Sequence, residues 1–277
     1  MESKLKFSLI MATLGRDKDV EIFCKNLSLQ LYKSFELIIV DQNTDNRLEK
    51  IINSYKEKFE LKYIRSDKKG LSLNRNIGLK YATGEIIAFP DDDCIYKNDT
   101  LEFVVRSISD YDFITFNSED MNPELKKFSF EKNEKIGFNN FFSTGISYTI
   151  FIKSHCLANF LFDERLGCGA EFGSGEDSDL MLFLISNKFK GFYFGTYSIY
   201  HPYKPMGNND VSRAYNYARG YGAMYRKCIC IYKQKKLLFN FIKAILKNIL
   251  GILLIYKGKY HFLSFKGKIS GFLLYKK

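Results

Sequence analysis

Gly84-Glu-Ile-Ile-Ala-Phe-Pro-Asp-Asp-Asp-Cys94 joins a short apolar run to three consecutive carboxylates, Asp91, Asp92 and Asp93. Ile86 to Phe89 has the length and composition of a buried strand. Carboxylates this close repel one another unless positive charge sits among them. A hard divalent cation with oxygen ligands, Mg²⁺ or Mn²⁺, supplies that charge. At the carboxyl end of a strand, such a cation is placed to grip a diphosphate. The plain alternative is a solvated acidic turn, and the flanking sequence has to decide between them.

Outward from this stretch the chain alternates. Phe7–Thr13, Phe35–Asp41, Leu61–Arg65 and Glu85–Phe89 read as strands. Asp17–Tyr32, Arg47–Lys58 and Leu71–Ala82 read as helices between them. Apolar strands alternating with helices predict an α/β fold, a mostly parallel sheet flanked by helices. In such sheets ligands bind beyond the carboxyl ends of the strands. Three strand ends therefore become candidates: Thr13-Leu-Gly-Arg16, Asp41-Gln-Asn43 and Asp91–Asp93. Further on, Asp112–Asn117 and Thr144–Ile152 are expected as strands, 118–140 as a polar surface excursion, Ser178–Phe189 as a helix and Gly191–Tyr200 as a last strand.

The 277 residues are 46% apolar, enough to bury a substantial core. No leader-like segment precedes Phe7, so a cytoplasmic protein with free thiols is expected. The six cysteines lack zinc-site spacing, and Cys228-Ile-Cys230 is not the redox Cys-x-x-Cys pattern. The net charge of +11 is uneven. Residues 211–277 hold 15 Lys and Arg and no acid, whereas residues 1–210 hold 27 basic and 31 acidic groups. A boundary is expected near 205–212, where Pro205 and Gly207–Asp210 supply turn signals.

The motifs recur in a known order. Phe7–Arg16, Val40-Asp41, Gly70-Leu-Ser-x-x-Arg75-Asn76-x-Gly78 and Gly84–Asp93 are followed by Phe162-Asp-Glu-x-Leu-Gly167, then Gly175-Glu176-Asp177-x-Asp-Leu180, then His201. Over residues 6–205 this resembles glycosyltransferase family 2 on the GT-A (Rossmann-like) fold. The resemblance implies an inverting transferase that moves a sugar from a nucleotide diphosphate donor to a hydroxyl, with Mn²⁺ or Mg²⁺ as cofactor. Carried over by position, Thr13, Arg16 and Asp41 line the nucleotide pocket, and Arg75 and Asn76 lie near the diphosphate or donor sugar. Asp91, Asp92 and Asp93 form the acidic element. Asp93 touches the metal, Asp91 the ribose or the metal, and Asp92 is counted with the nucleotide-sugar residues. His201 completes the metal site, and an imidazole ligand tips the balance towards Mn²⁺. Gly145 belongs to a loop bordering the donor sugar. Asp177 is the implied base, with Glu176 second. Gln42 departs from the pattern, since many members carry an acid there.

Each assignment has a plainer competitor. Asp41 can cap the next helix, Asp177 can cap the helix it opens, and His201 can be an ordinary loop residue. The chemistry fits independently of the resemblance. Expelling a nucleoside diphosphate builds charge that a cation offsets, and the attacking hydroxyl needs a base.

Leu237–Tyr256 is apolar but broken by Lys243 and Lys247, too charged to span a bilayer. At helical spacing Lys233, Lys236, Asn240, Lys243, Lys247 and Gly251 share one stripe, with Leu238, Phe241, Ile242, Ile245, Leu246, Ile249 and Leu253 around the rest. This predicts a helix lying in a membrane interface, lysines towards anionic headgroups. The competing reading packs it on the catalytic body. Upstream, Ala218–Lys227 resembles an element of a bacterial branch of the family that builds surface polysaccharides, whose arginines receive the phosphate of a lipid-linked acceptor.

The resulting expectation is a catalytic domain over 1–207, its nucleotide-sugar half 1–95 and acceptor half 96–207, and a basic helical tail over 208–277. The donor is a UDP- or dTDP-sugar and the acceptor a lipid-linked glycan. Segment 233–277 contacts the anionic inner leaflet, making the protein cytoplasmic but peripheral on the inner face of the cell membrane. The alternatives are a nucleotidyltransferase, disfavoured by the single glycine in Thr13-Leu-Gly-Arg16, or a membrane- or nucleic-acid-binding protein with an inactive body. No nucleic-acid partner is expected, because the body lacks a basic groove.

Overall fold

The computed structural model describes residues 5–122, 131–202, 211–254 and 258–276. Most of the expected boundary at 205–212 and part of the expected excursion at 118–140 lie outside them. The chain forms two compact units, one from Met1–Leu161 with Phe183–Tyr203, the other from Phe162–Leu182 with Lys204–Lys277.

The first unit is an α/β sheet. Its strands are β1 (Phe7–Thr13), β2 (Phe35–Asp41), β3 (Glu60–Arg65), β4 (Ile86–Ala88), β5 (Phe113–Glu119), β6 (Glu134–Lys135), β7 (Ile150–Lys153) and β8 (Gly191–Tyr200). They lie in the order β3-β2-β1-β4-β7-β5-β8-β6. The β3-β2-β1-β4 half is wholly parallel, and β7 enters antiparallel between β4 and β5. Strand order reverses beside β1 and β4, the switch point at which doubly wound sheets hold ligands.

Helices α1 (Lys18–Ser28), α2 (Glu49–Tyr55), α3 (Leu71–Leu79) and α4 (Thr100–Ser107) connect these strands. α1 begins where the Asp17 carboxylate accepts from the Lys18 amide, and it buries Val20, Phe23, Cys24 and Leu27 at helical spacing. β1 and β2 are buried along nearly their whole length, which is why they read as unbroken apolar runs. α3 reaches β1 through Gly78, where a side chain would collide with Ile10.

The parallel strands and their helices lie within a few residues of their expected positions. Thr144–Ile152 is different. It splits into α5 (Phe141–Thr144), an extended Gly145, a 3₁₀ turn at Ser147–Thr149 and then β7. The Thr144 and Thr149 hydroxyls bond back to the Asn140 and Ile146 carbonyls, competing with strand pairing.

The second unit holds the start of α6 (Glu176–Ser186), then α7 (Val211–Arg226), a π-helical turn at Lys227–Ile231, α8 (Lys236–Leu253) and α9 (Gly258–Leu274). α6 matches the helix expected at Ser178–Phe189, and α8 falls within the expected Leu237–Tyr256 segment, but the faces of α8 differ from the expected ones. Leu237, Phe241, Asn248 and Gly251 are buried, with Phe241 stacked on Phe272 of α9 at 4.7 Å. Leu238, Ile242, Leu246, Ile249, Leu250 and Leu253 are exposed among Lys236, Lys243 and Lys247. Gly251 therefore belongs to the packed face and not to a lysine stripe, because His261 approaches too closely for a side chain there. No described helix is long and apolar enough to cross a membrane.

Candidate functional site

The three carboxylates follow β4, and the chain then pairs Ile95 with Tyr200 at the end of β8 through bonds of 2.8 and 3.1 Å. That bridge carries His201 over the acidic segment, while the His201 amide donates to Glu119 at 2.8 Å. The His201 Nε2 atom lies 2.9 Å from Asp93 Oδ1 and 3.8 Å from Asp91 Oδ2. Ligand atoms of Asp91, Asp93 and His201 all fall within 4.8 Å of one another. His201 Nδ1 is 3.0 Å from the Pro202 carbonyl. Were an ion bound, a proton on Nδ1 donating there would leave the Nε2 lone pair to serve as a metal ligand. Two carboxylates and one imidazole fit a Mn²⁺-type ion.

The cluster is heavily charged. Arg16 lies 3.0 Å from Asp92 Oδ1 and also pairs with Asp93. The Thr13 hydroxyl donates to Asp92 Oδ2 at 2.6 Å. Burial pushes the Asp92 carboxyl up to about 6, against the pull of Thr13 and Arg16. Burial also acts to raise Asp93, but its hydrogen bonds from His201 and Arg16 prevail and hold it well below the usual carboxylate range. Buried Arg75 on α3 donates to Asp91 Oδ1 at 3.0 Å and to the Ser147 hydroxyl at 2.7 Å. Asn76 follows it, also buried.

Asp41 ends β2 fully buried. It accepts from the Asn43 amide and side chain at 2.8 and 2.7 Å and from the Tyr63 hydroxyl at 2.7 Å. It caps its own turn and not the next helix, since α2 starts at Glu49 without a side-chain cap. Gln42 bridges the Gly70 amide and the Thr13 carbonyl, tying the α3 loop to β1, a task an acid could do only in part. Gly145 is flanked by residues lining a cavity of about 240 Å³ between Phe116, Ser118, Thr144, Ile146 and Tyr193.

Sequence reasoning thus placed Thr13, Arg16, Arg75, Asp91, Asp92, Asp93 and His201 in one network. It missed three partners. Tyr148 stacks on the His201 ring at 4.5 Å and bonds Ser118 at 2.6 Å, and Ser147 meets Arg75. Both come from the segment misread as strand. Asn43 was quoted only as a strand end, yet it accepts from the Gly15 amide and so shapes the Thr13–Arg16 loop. Glu176 and Asp177 open α6 in the second unit, after Gly175 in the left-handed region at φ 103°. In that unit Arg219 does not present a free guanidinium as the sequence suggested. It donates to the Glu171 carbonyl at 3.0 Å and lies over Phe172.

A second group, Asp112, His155 and Cys156, also converges. Burial pushes its thiol up to about 12, and the group offers a hard cation a single carboxylate. The strand-end cluster is the better cation site.

A glucosyltransferase from Campylobacter jejuni, named for action on GalNAc(5)-diNAcBac-PP-undecaprenol, is 27% identical over 172 residues, covering 58% of this chain and 55% of that protein. Of several other curated relatives the chain spans only 18–19% of the length. The Staphylococcus aureus TarS fragment 1–349 bound to UDP-GlcNAc superposes with TM-score 0.63 at 21% identity, over 80% of this chain and 66% of that one. The Pyrobaculum calidifontis mannosyltransferase PcManGT, in complex with GDP-Man and Mn²⁺, gives 0.68 at 14% identity, over 100% and 89%. These superpositions establish the GT-A fold. The model of Glycosyl transferase family 2 matches residues 8–166, more than half the chain, and with the strand-end motifs in place the chain belongs to that family.

Proposed function

We propose that this glycosyltransferase is metal-dependent and inverting, and moves a sugar from a UDP- or dTDP-sugar to a hydroxyl of a lipid-linked glycan. The observation that carries this reading is the convergence of Asp91, Asp93 and His201 at the β1/β4 switch point, with Arg16, Thr13 and Arg75 around them. Asp91, Asp93 and His201 would hold Mn²⁺ or Mg²⁺, which when bound supplies a Lewis acid for charge on the departing diphosphate. Arg16, beside Asp92 and Asp93, would be placed to meet phosphate oxygens once the carboxylates held an ion. Asp41 and Thr13 recognise the nucleoside, Arg75, Asn76 and Asp92 shape the floor under the diphosphate, and Gly145 borders the donor sugar. Asp177, with Glu176 second, takes the proton of the attacking hydroxyl, and in-line attack inverts the anomeric carbon.

Support for the donor and acceptor classes comes from relatives: UDP-GlcNAc sits in the TarS fragment, and the Campylobacter enzyme is named for a diphospho-undecaprenol substrate. The division into a catalytic part at 1–207 and a membrane-associating part at 208–277 belongs to the same proposal. The exposed leucines and lysines of α8 suit an anionic leaflet surface. The test is a panel of nucleotide sugars with and without Mn²⁺, read as nucleoside diphosphate release, plus flotation on anionic liposomes. Metal-dependent release from one donor is expected. Pyrophosphate as product would replace this reading with nucleotidyl transfer, and failure to float would remove the membrane role.

A further inference from the structure

The π-helical turn after α7 directs Lys227 into a buried acidic knot. Its ammonium is 2.6 Å from Asp179 Oδ2 and 3.3 Å from Asp163 Oδ2. Asp179 is 1% exposed and lies in the first turn of α6. Burial raises its carboxyl, Lys227 opposes that rise, and its second oxygen has no hydrogen-bond partner. Asp163 also accepts from the Tyr275 hydroxyl at 2.5 Å and holds Arg165 through bonds of 3.0 and 2.9 Å. Arg165 in turn donates to the Lys276 carbonyl at 2.6 Å. One knot therefore ties the residues just past α7 and α9 to segment 163–179.

α7 also grips the turn that leads into α6. The Ser174 hydroxyl donates to the Tyr217 carbonyl at 2.9 Å. A side chain at Gly220 would collide with Ser174, and one at Gly175 would press on the Gly220 carbonyl. Residues two apart on a helix point about 200° apart. Fixing Asp179 against Lys227 thus fixes the rotation of the first turn, and with it the direction of the Asp177 side chain. A buried ion pair adds little net stability compared with apolar packing, but it specifies geometry, and removing one partner is costly.

We propose that Lys227, with Tyr275 behind it through Asp163, is a positioning residue for the start of α6, so that the C-terminal helices serve the reaction as well as any surface. This rests on the assignment of Asp177 as base. It does not require the helices to touch substrate. A misplacement of about 1 Å at a catalytic group lowers rate by roughly 10²-fold, whereas donor binding on the other unit does not depend on it.

The test compares Lys227→Met, Lys227→Arg, Tyr275→Phe and Asp177→Asn in the full chain. Amide hydrogen exchange is followed by mass spectrometry over 173–182, and turnover is measured as nucleoside diphosphate release from the donor selected in the panel. Lys227→Met should speed exchange over 173–182 while leaving 7–13 unchanged. Its kcat should fall roughly 10²-fold, with donor KM nearly constant. Lys227→Arg should recover most of both, and Tyr275→Phe should show a smaller change of the same kind. Unchanged exchange over 173–182 in Lys227→Met would overturn the knot as a clamp on α6. Faster exchange there with normal kcat, alongside an inactive Asp177→Asn, would overturn its positioning role. An active Asp177→Asn would instead refute the base assignment, and exchange alone would then decide whether Lys227 holds α6.

Discussion

The strand-end site and the C-terminal helices handle charge in opposite ways. At Asp91–Asp93 the sheet buries carboxylates faster than it neutralises them: Asp92 is driven up to about 6 by burial while Arg16 and His201 share Asp93. In the C-terminal unit the buried charges are matched by Lys227, Arg165 and Tyr275, and the remaining lysines on α8 stand in solvent beside exposed leucines. In the proposed reading the first arrangement would favour a cation, because added positive charge relieves repulsion among the carboxylates. The second pairs most of its buried charge internally and leaves leucines and lysines of α8 exposed.

The largest effect that can break this contrast is at the base. Asp177→Asn should lower kcat by roughly 10²–10⁴-fold with the melting temperature nearly unchanged. A drop of under tenfold would mean that the second unit supplies no proton acceptor at this residue.

Glu36 provides the internal control, a buried carboxylate in the same sheet as the acidic triplet but fully partnered. Burial alone would raise it, yet bonds from Lys62, Ser8 and Thr83 lower it to about 2. A folded-state value below the unfolded 4.5 means its stabilisation is present above about pH 4.5 and lost as pH falls towards 2. The effect is about 3 kcal/mol, read as acid denaturation, and Glu36→Gln should flatten that limb of the curve. An unchanged acid limb would show that the pairing does not set acid stability.

Tyr148→Leu removes the ring stacked on His201 and should weaken Mn²⁺ binding by roughly 10–100-fold, as loss of support behind a ligand does. Unaltered affinity by titration would show that β8 alone holds the imidazole. The smallest effect on stability belongs to Leu246→Glu with Leu250→Glu on exposed α8. Each should shift stability by no more than about 0.5 kcal/mol, yet together they should abolish flotation on anionic vesicles. Continued flotation would mean that another face carries any lipid contact.

What was legible in the chain follows from the same contrast. The parallel strands showed as apolar runs because both faces are covered, and their polar ends marked Thr13, Asp41 and Asp91–Asp93 directly. His201 was legible through the family pattern and its place between the last strand and Pro202. Tyr148 and Ser147 were not, since they arrive through antiparallel insertion of β7 between β4 and β5, a long-range pairing no local period encodes. α7 and α9 escaped for another reason. They meet through Gly222, Gly267 and Gly271, where a side chain on one helix would strike the backbone of the other. A contact made of small residues leaves no apolar stripe to read. The charge of Lys227 looked like one more basic tail residue, and only the fold shows it buried against Asp179.

The account stands on a cation held by Asp91, Asp93 and His201, and its most direct test is calorimetric titration of Mn²⁺ into the protein with and without UDP, repeated on Asp93→Asn. Mutual tightening of Mn²⁺ and UDP in the parent chain, lost in the variant, is the predicted result. Equal Mn²⁺ affinity in the two proteins, or no coupling to UDP in either, would contradict it.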